Sequence, residues 1–171
     1  MAQTNFQGLP VAVGLTGTEI VPIQQSGVTK RTTTGTIGQV GVSSALPAAI
    51  EFMIDGNGSN ISSRVWGYLT VPFNATVTSW SLQADQSGSV IVDVWKCTYA
   101  QFDPPTTPSV ANSITGSETP TITAASKNRD TSLSTWTTTL AEGDVLAFSV
   151  PSPSTSITRV TLTLALTRVV S

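Results

Sequence analysis

Between Val160 and Thr167 the chain alternates strictly, with Val160, Leu162, Leu164 and Leu166 set against Thr161, Thr163, Ala165 and Thr167. Successive side chains of a strand point to opposite faces, so this pattern builds a strand with one buried side and one wet side. A helix would spread the same residues around its whole circumference. The period recurs upstream. Val65, Leu69 and Val71 oppose Trp66, Tyr68 and Thr70; Trp80 and Leu82 share a side within 75–84; Val90, Val92 and Val94 alternate with Ile91, Asp93 and Trp95; and Leu146, Phe148 and Val150 share a face.

Composition points the same way. The 171 residues include 28 Thr and 21 Ser, more than a quarter of the chain. Thr is β-branched and suits a pleated, half-solvated surface, whereas Ser suits turns. Turn signals punctuate the strands at Asp55-Gly56-Asn57-Gly58-Ser59-Asn60, Asp85-Gln86-Ser87-Gly88, Ala141-Glu142-Gly143-Asp144 and Pro151-Ser152-Pro153-Ser154. The second of these predicts a hairpin between strands 75–84 and 90–96. Glu51–Ile54 forms a further strand, and Leu133–Leu140 another around Trp136. Pro104, Pro105 and Pro108 place a long surface loop over 99–130, within which Thr121–Ala125 is either a short strand or a brief helical turn. Roughly seven or eight short strands with no helical pattern predict an all-β protein, an antiparallel β-sandwich of jelly-roll type.

The first 44 residues carry no core of their own. Thr18–Gln24 and Val28–Thr33 flank Gly27 as a small hairpin, with Pro22 confining its strand to an edge. An isolated hairpin is marginal in water, so this extended arm needs a surface to dock on. Gly38, Gly41, Ser43 and Ser44 then mark a linker, giving an arm over 1–44 and a sandwich over 45–171.

Charge is sparse, with 8 basic and 10 acidic side chains and no run of one sign. The footprint of a nucleic-acid binder is therefore missing, and no apolar run suits a membrane. The N-terminus lacks a signal-peptide pattern, which predicts synthesis and assembly in a host cytoplasm. Histidine is absent and Cys97 stands alone, which removes the usual general base, the triad histidine and the common metal sites. No cofactor is expected. The carboxylates that could serve glycoside hydrolysis are Glu51, Asp55, Asp85, Asp93, Asp103, Glu142 and Asp144, but no spacing pairs them. Asp93, in mid-strand, is read as solvent-facing or at an interface. The expectation is a protein that is not an enzyme. The Asp55–Asn60 loop resembles the start of a calcium loop but lacks the downstream Glu, so a plain turn is expected. Among Trp66, Tyr68, Trp80, Trp95, Tyr99 and Trp136, most belong in a core. Trp66 and Tyr68 fall on the face opposite the aliphatic residues, as contacts for another subunit or for a glycan.

Two stretches carry a resemblance. Gly8-Leu9-Pro10-Val11-Ala12-Val13-Gly14-Leu15-Thr16-Gly17-Thr18-Glu19-Ile20-Val21-Pro22 with Gly27-Val28-Thr29-Lys30-Arg31-Thr32-Thr33 resembles the N-terminal segment of tailed-phage tail fibres and other virion proteins. Val94-Trp95-Lys96 with Tyr99, Thr135-Trp136-Thr137 and Gly143-Asp144-Val145-Leu146-Ala147-Phe148 are similar to a β-sandwich module of phage fibres and tailspikes, and to capsid cement, or decoration, proteins. The resemblance implies a homotrimer in the virion. A fibre needs a shaft, and neither heptads nor repeats separate arm from sandwich here. Cement on the outer capsid surface, bound to major capsid protein, is therefore preferred over a tail-fibre or tailspike subunit bound to tail proteins and a host surface glycan. In that reading Leu9, Val11, Val13, Leu15, Ile20, Val21 and Ile23 bury apolar area on the particle, and Lys30 and Arg31 pair with an acidic shell.

Overall fold

The computed structural model describes residues 18, 20–25, 28–33, 45–103 and 107–169. The chain divides into two compact units, Met1–Ser43 and Ser44–Ser171. In the first, β1 (Ile20–Gln25) pairs antiparallel with β2 (Val28–Thr33), from Ile20 opposite Thr33 to Gln25 opposite Val28.

The second unit holds β3 (Ala45–Asp55), β4 (Arg64–Thr70), β5 (Ala75–Ile91), β6 (Asp93–Thr98), β7 (Thr121–Asp130), β8 (Thr139–Leu140), β9 (Asp144–Val150) and β10 (Arg159–Val169). One sheet runs β3-β10-β5-β7, with β8 continuing along β5 beyond β7; the other runs β4-β9-β6. Successive strands switch sheets, apart from β7 and β8. This antiparallel sandwich has the crossing pattern of a jelly roll. A short fourth lane flanks β6, where Ser113 bridges Trp95 and the Ile114 amide donates to the Val94 carbonyl at 2.9 Å.

The alternation read from the sequence decides which face is inside. Val160, Leu162, Leu164 and Leu166 of β10 are buried, with Ile50 and Ile54 of β3 and Trp80 and Leu82 of β5 in the same layer. Across the sandwich, Leu146, Phe148 and Val150 of β9 meet them. Phe52 stacks on Phe148 at 4.1 Å between centroids and an interplanar angle of 6°. Gly67 permits that contact, since a Cβ there would lie 2.7 Å from the Phe52 ring. Strand β9 is buried on both faces. It is the central strand of its sheet, and Tyr68 and Trp95 flank Ala147 on its outward side.

Three expectations are corrected. No hairpin forms at Asp85-Gln86-Ser87-Gly88: β5 runs through these residues as a bulged strand of 17 residues. The sheet change comes later, at buried Val92. Gly88 is needed because the chain from Ser154 to Ile157 crosses over it, and a Cβ would sit 2.0 Å from the Thr155 carbonyl oxygen. Ser89 and Thr155 exchange both backbone hydrogen bonds there. The second correction concerns 99–130: of the two alternatives for Thr121–Ala125 the strand holds, and it does not stop there but runs on to Asp130 as the ten-residue β7. Third, within Leu133–Leu140 only β8 is strand. Trp136 enters the core from irregular backbone, and its indole donates to the Glu118 carbonyl at 3.0 Å.

Candidate functional site

Four of the seven candidate carboxylates, Asp93, Asp144, Asp55 and Asp85, take structural roles. Asp93 is buried, contrary to the solvent-facing expectation, because the lane at Ser113–Thr115 closes against β6. Its carboxylate accepts from Trp95 Nε1 at 2.7 Å, Ser113 Oγ at 2.8 Å and Thr115 Oγ1 at 2.8 Å. Three neutral donors thus replace water around the charge. Asp144 accepts from Lys96 Nζ at 3.0 Å and from the Ala141 amide at 2.9 Å, tying the turn before β9 to β6.

Asp55 and Asp85 both engage the segment that opens β10. Asp55 accepts from the Asn57 amide at 2.8 Å and from Arg159 Nε at 3.0 Å. Asp85 accepts from the Thr158 hydroxyl and from the Thr158 and Arg159 amides. The Asn57 amide, then the Arg159 guanidinium, holds the Asp55 carboxyl below its ordinary range. The Thr158 hydroxyl, followed by the two amides, does the same for Asp85. Glycoside hydrolysis needs one carboxyl held above that range to deliver a proton, and these two neighbours are both held below it. The Asp55–Asn60 loop closes as a turn, with Asn57 and Gly58 at φ 53° and 78°. The Arg159 guanidinium already occupies Asp55, where a calcium ion would need that oxygen. Among the described residues, no group of three or more acidic, cysteine or histidine side chains could hold a metal. Burial, with Asp144 nearby, pushes the Cys97 thiol up, away from the reactive thiolate. No helix among the described residues is long and apolar enough to cross a membrane.

The aromatic residues divide by burial. Trp80 and Trp136 belong to the core; the Trp80 indole N–H has no hydrogen-bond partner among the described residues. Trp66 and Tyr68 do not share a face as predicted, because the register of β4 slips between Val65 and Gly67. Trp66 packs against the core edge, donates to the Ser62 carbonyl at 3.1 Å and carries Arg64 over its ring at 3.8 Å. Tyr68 stays on the outer face, 43% exposed, with Phe102 edge-on at 4.8 Å. Tyr99, at the end of β6, is 71% exposed.

In the arm, Ile20 is 62% exposed, and Val28, which the sequence did not single out, is 58% exposed. The register sets Val21 opposite Thr32, Pro22 opposite Arg31 and Ile23 opposite Lys30. Leu9, Val11, Val13 and Leu15 lie outside the described residues.

A charged pattern emerges that sequence reading missed. On the outer face of the sheet β3-β10-β5-β7, register rows run Met53–Thr161–Gln83–Lys127 and Glu51–Thr163–Ser81–Arg129. Acid sits on one margin and base on the other. The signal was the spacing of Lys127 and Arg129, two residues apart and hence on one face of any strand.

No family model matches the chain, and no curated protein matches it. Among solved structures, the native virion of Kashmir bee virus at neutral pH aligns over 98% of this chain and 96% of that one, at 10% identity and a TM-score of 0.35. So slight a likeness carries no weight for function, and the sandwich described above rests on strand order and register.

Proposed function

We propose that the chain is a structural subunit of a tailed-phage particle, a decoration protein that sits on the outer capsid surface as a homotrimer. The observation that carries this reading is the separate N-terminal hairpin, whose Ile20 and Val28 side chains stand exposed. A two-stranded hairpin gains little stability alone and becomes ordered by docking. On a shell, each docked arm buries apolar area worth about 25 cal/mol per Å². Lys30 and Arg31 add charge toward an acidic capsid surface. Many copies of a modest contact brace the shell through multivalency. The sandwich supplies a rigid body, with Asp55, Asp85, Asp93 and Asp144 engaged in holding turns and strands.

A second reading has its own observation. Tyr68, Phe102 and exposed Tyr99 could stack on a host surface glycan from the outer side of the three-stranded sheet, as a fibre-tip subunit would. Copy number separates the two. Quantitative gel analysis of purified virions should give hundreds of copies per particle for a decoration protein. A few tens or fewer would overturn that reading and favour the glycan-binding tip.

A further inference from the structure

The outer face of the sheet β3-β10-β5-β7 is polarised by charge. In the rows of Glu51 and Met53 its middle strands present Thr161, Thr163, Ser81 and Gln83, all uncharged; the charges of the next row, Asp55, Arg159 and Asp85, are engaged with one another and with the Thr158 hydroxyl. On the β3 margin stands Glu51, exposed, with only the Thr163 hydroxyl on its carboxylate at 3.2 Å. On the β7 margin stand Lys127 and Arg129, both exposed and neither in an ion pair with another described residue. Three strand spacings, about 14 Å, separate Glu51 from Arg129 across the sheet, too far for them to meet within one chain.

We infer that this sheet binds a second copy of the same chain, head to tail, with the β3 margin of one copy against the β7 margin of the next. Each margin repels its own kind and attracts the other, so the charges select the heterologous contact and disfavour a two-fold one. Direction agrees. Three antiparallel steps separate β3 from β7, so the two margins run in opposite senses. A neighbour turned only about an axis along the strands therefore brings its β3 alongside β7 as an antiparallel partner. Met53, two residues from Glu51 on the same face of β3 and 59% exposed, adds apolar area at the β3 margin. A head-to-tail contact that closes makes a ring. The count of three rests on the trimeric reading proposed above, which this contact deepens by naming the surface.

The test uses the full chain without particles, by light scattering and native mass spectrometry at micromolar concentration. The wild type should give a three-chain mass. E51K alone, and K127E/R129E alone, should raise the concentration needed for assembly by about tenfold or more, since several exposed pairs turn repulsive in each ring. The combined variant E51K/K127E/R129E should recover the trimer, because the margins are again opposite. Thermal melts matching the wild type establish that the exposed substitutions leave the fold intact. A monomeric wild type, a two-chain mass, or a combined variant that stays apart overturns the contact. Copy number in the virion is read separately, so a monomer present in hundreds per particle would sink this contact and leave the shell role standing.

Discussion

At the scale of single residues, Asp93 shows how a charge can be structural in a protein with few charges to spend. Its three donors come from β6 and from the lane beside it, so one carboxylate joins two segments that would otherwise be held by little backbone pairing. Removing the carboxylate leaves the Trp95 indole without its acceptor and the Ser113 and Thr115 hydroxyls with only each other. We predict that Asp93→Ala lowers stability by about 2–4 kcal/mol, from lost charge-assisted bonds and unsatisfied donors. Urea denaturation followed by tryptophan fluorescence measures it. A loss within about 0.5 kcal/mol, typical of a surface substitution, would mean that the cluster contributes nothing beyond a solvated side chain. The sequence flagged Asp93 as unusual but misplaced it, because its cover comes from Ser113 and Thr115, some twenty positions along the chain. Nothing local announces such a partner.

Elements were legible where one face was buried and the other wet along the whole strand. Strand β10 is the clearest instance, since every second residue from Val160 to Leu166 is core. Strand β7 was legible only in part, with Thr121–Ala125 as one of two alternatives, because it is a sheet margin whose only buried side chain is Ile122. Lys127, Asn128 and Arg129 there have the composition of a loop. Strand β5 failed for another reason. Asp85-Gln86-Ser87-Gly88 has the residues of a turn, and a bulge asks for the same small, polar residues as a turn does. What distinguishes them is the chain segment at Ser154–Ile157, which needs Gly88 bare. Gly88→Ala should therefore cost about 1–3 kcal/mol, the usual penalty for overpacking a site that can shift only in part. Gly58→Ala isolates the other kind of cost, since no atom lies within 4 Å of its Cβ position and only its φ of 78° opposes a side chain. A Gly88→Ala melting temperature equal to that of the wild type would show that the crossing segment yields freely. The candidate site was legible only in parts: Tyr68 reached the outer face as read, while Trp66 was drawn inward by the register slip in β4.

At the scale of the whole molecule, the two units divide labour in a way that deletion can expose. Among the described residues, the buried aliphatic and aromatic side chains belong to Ser44–Ser171, whose two sheets close a core among themselves. A unit that holds its own core folds without the residues before it. Removing residues 1–43 should accordingly leave a soluble sandwich that unfolds in one cooperative step within a few degrees of the full chain, as calorimetry would report. Attachment should behave oppositely. If the exposed hairpin is the docking device, the truncated protein added to undecorated particles stays in the supernatant after sedimentation, while the full chain pellets with them. The two readouts are independent, so a truncated protein that has lost its fold cannot be mistaken for one that has lost its anchor. Co-sedimentation of a folded, truncated sandwich at the level of the full chain would move the anchor from the arm to the sandwich. The outer face of the sheet β4-β9-β6 would then be the first surface to substitute, beginning with exposed Tyr68 and Tyr99, which the contact between copies does not use.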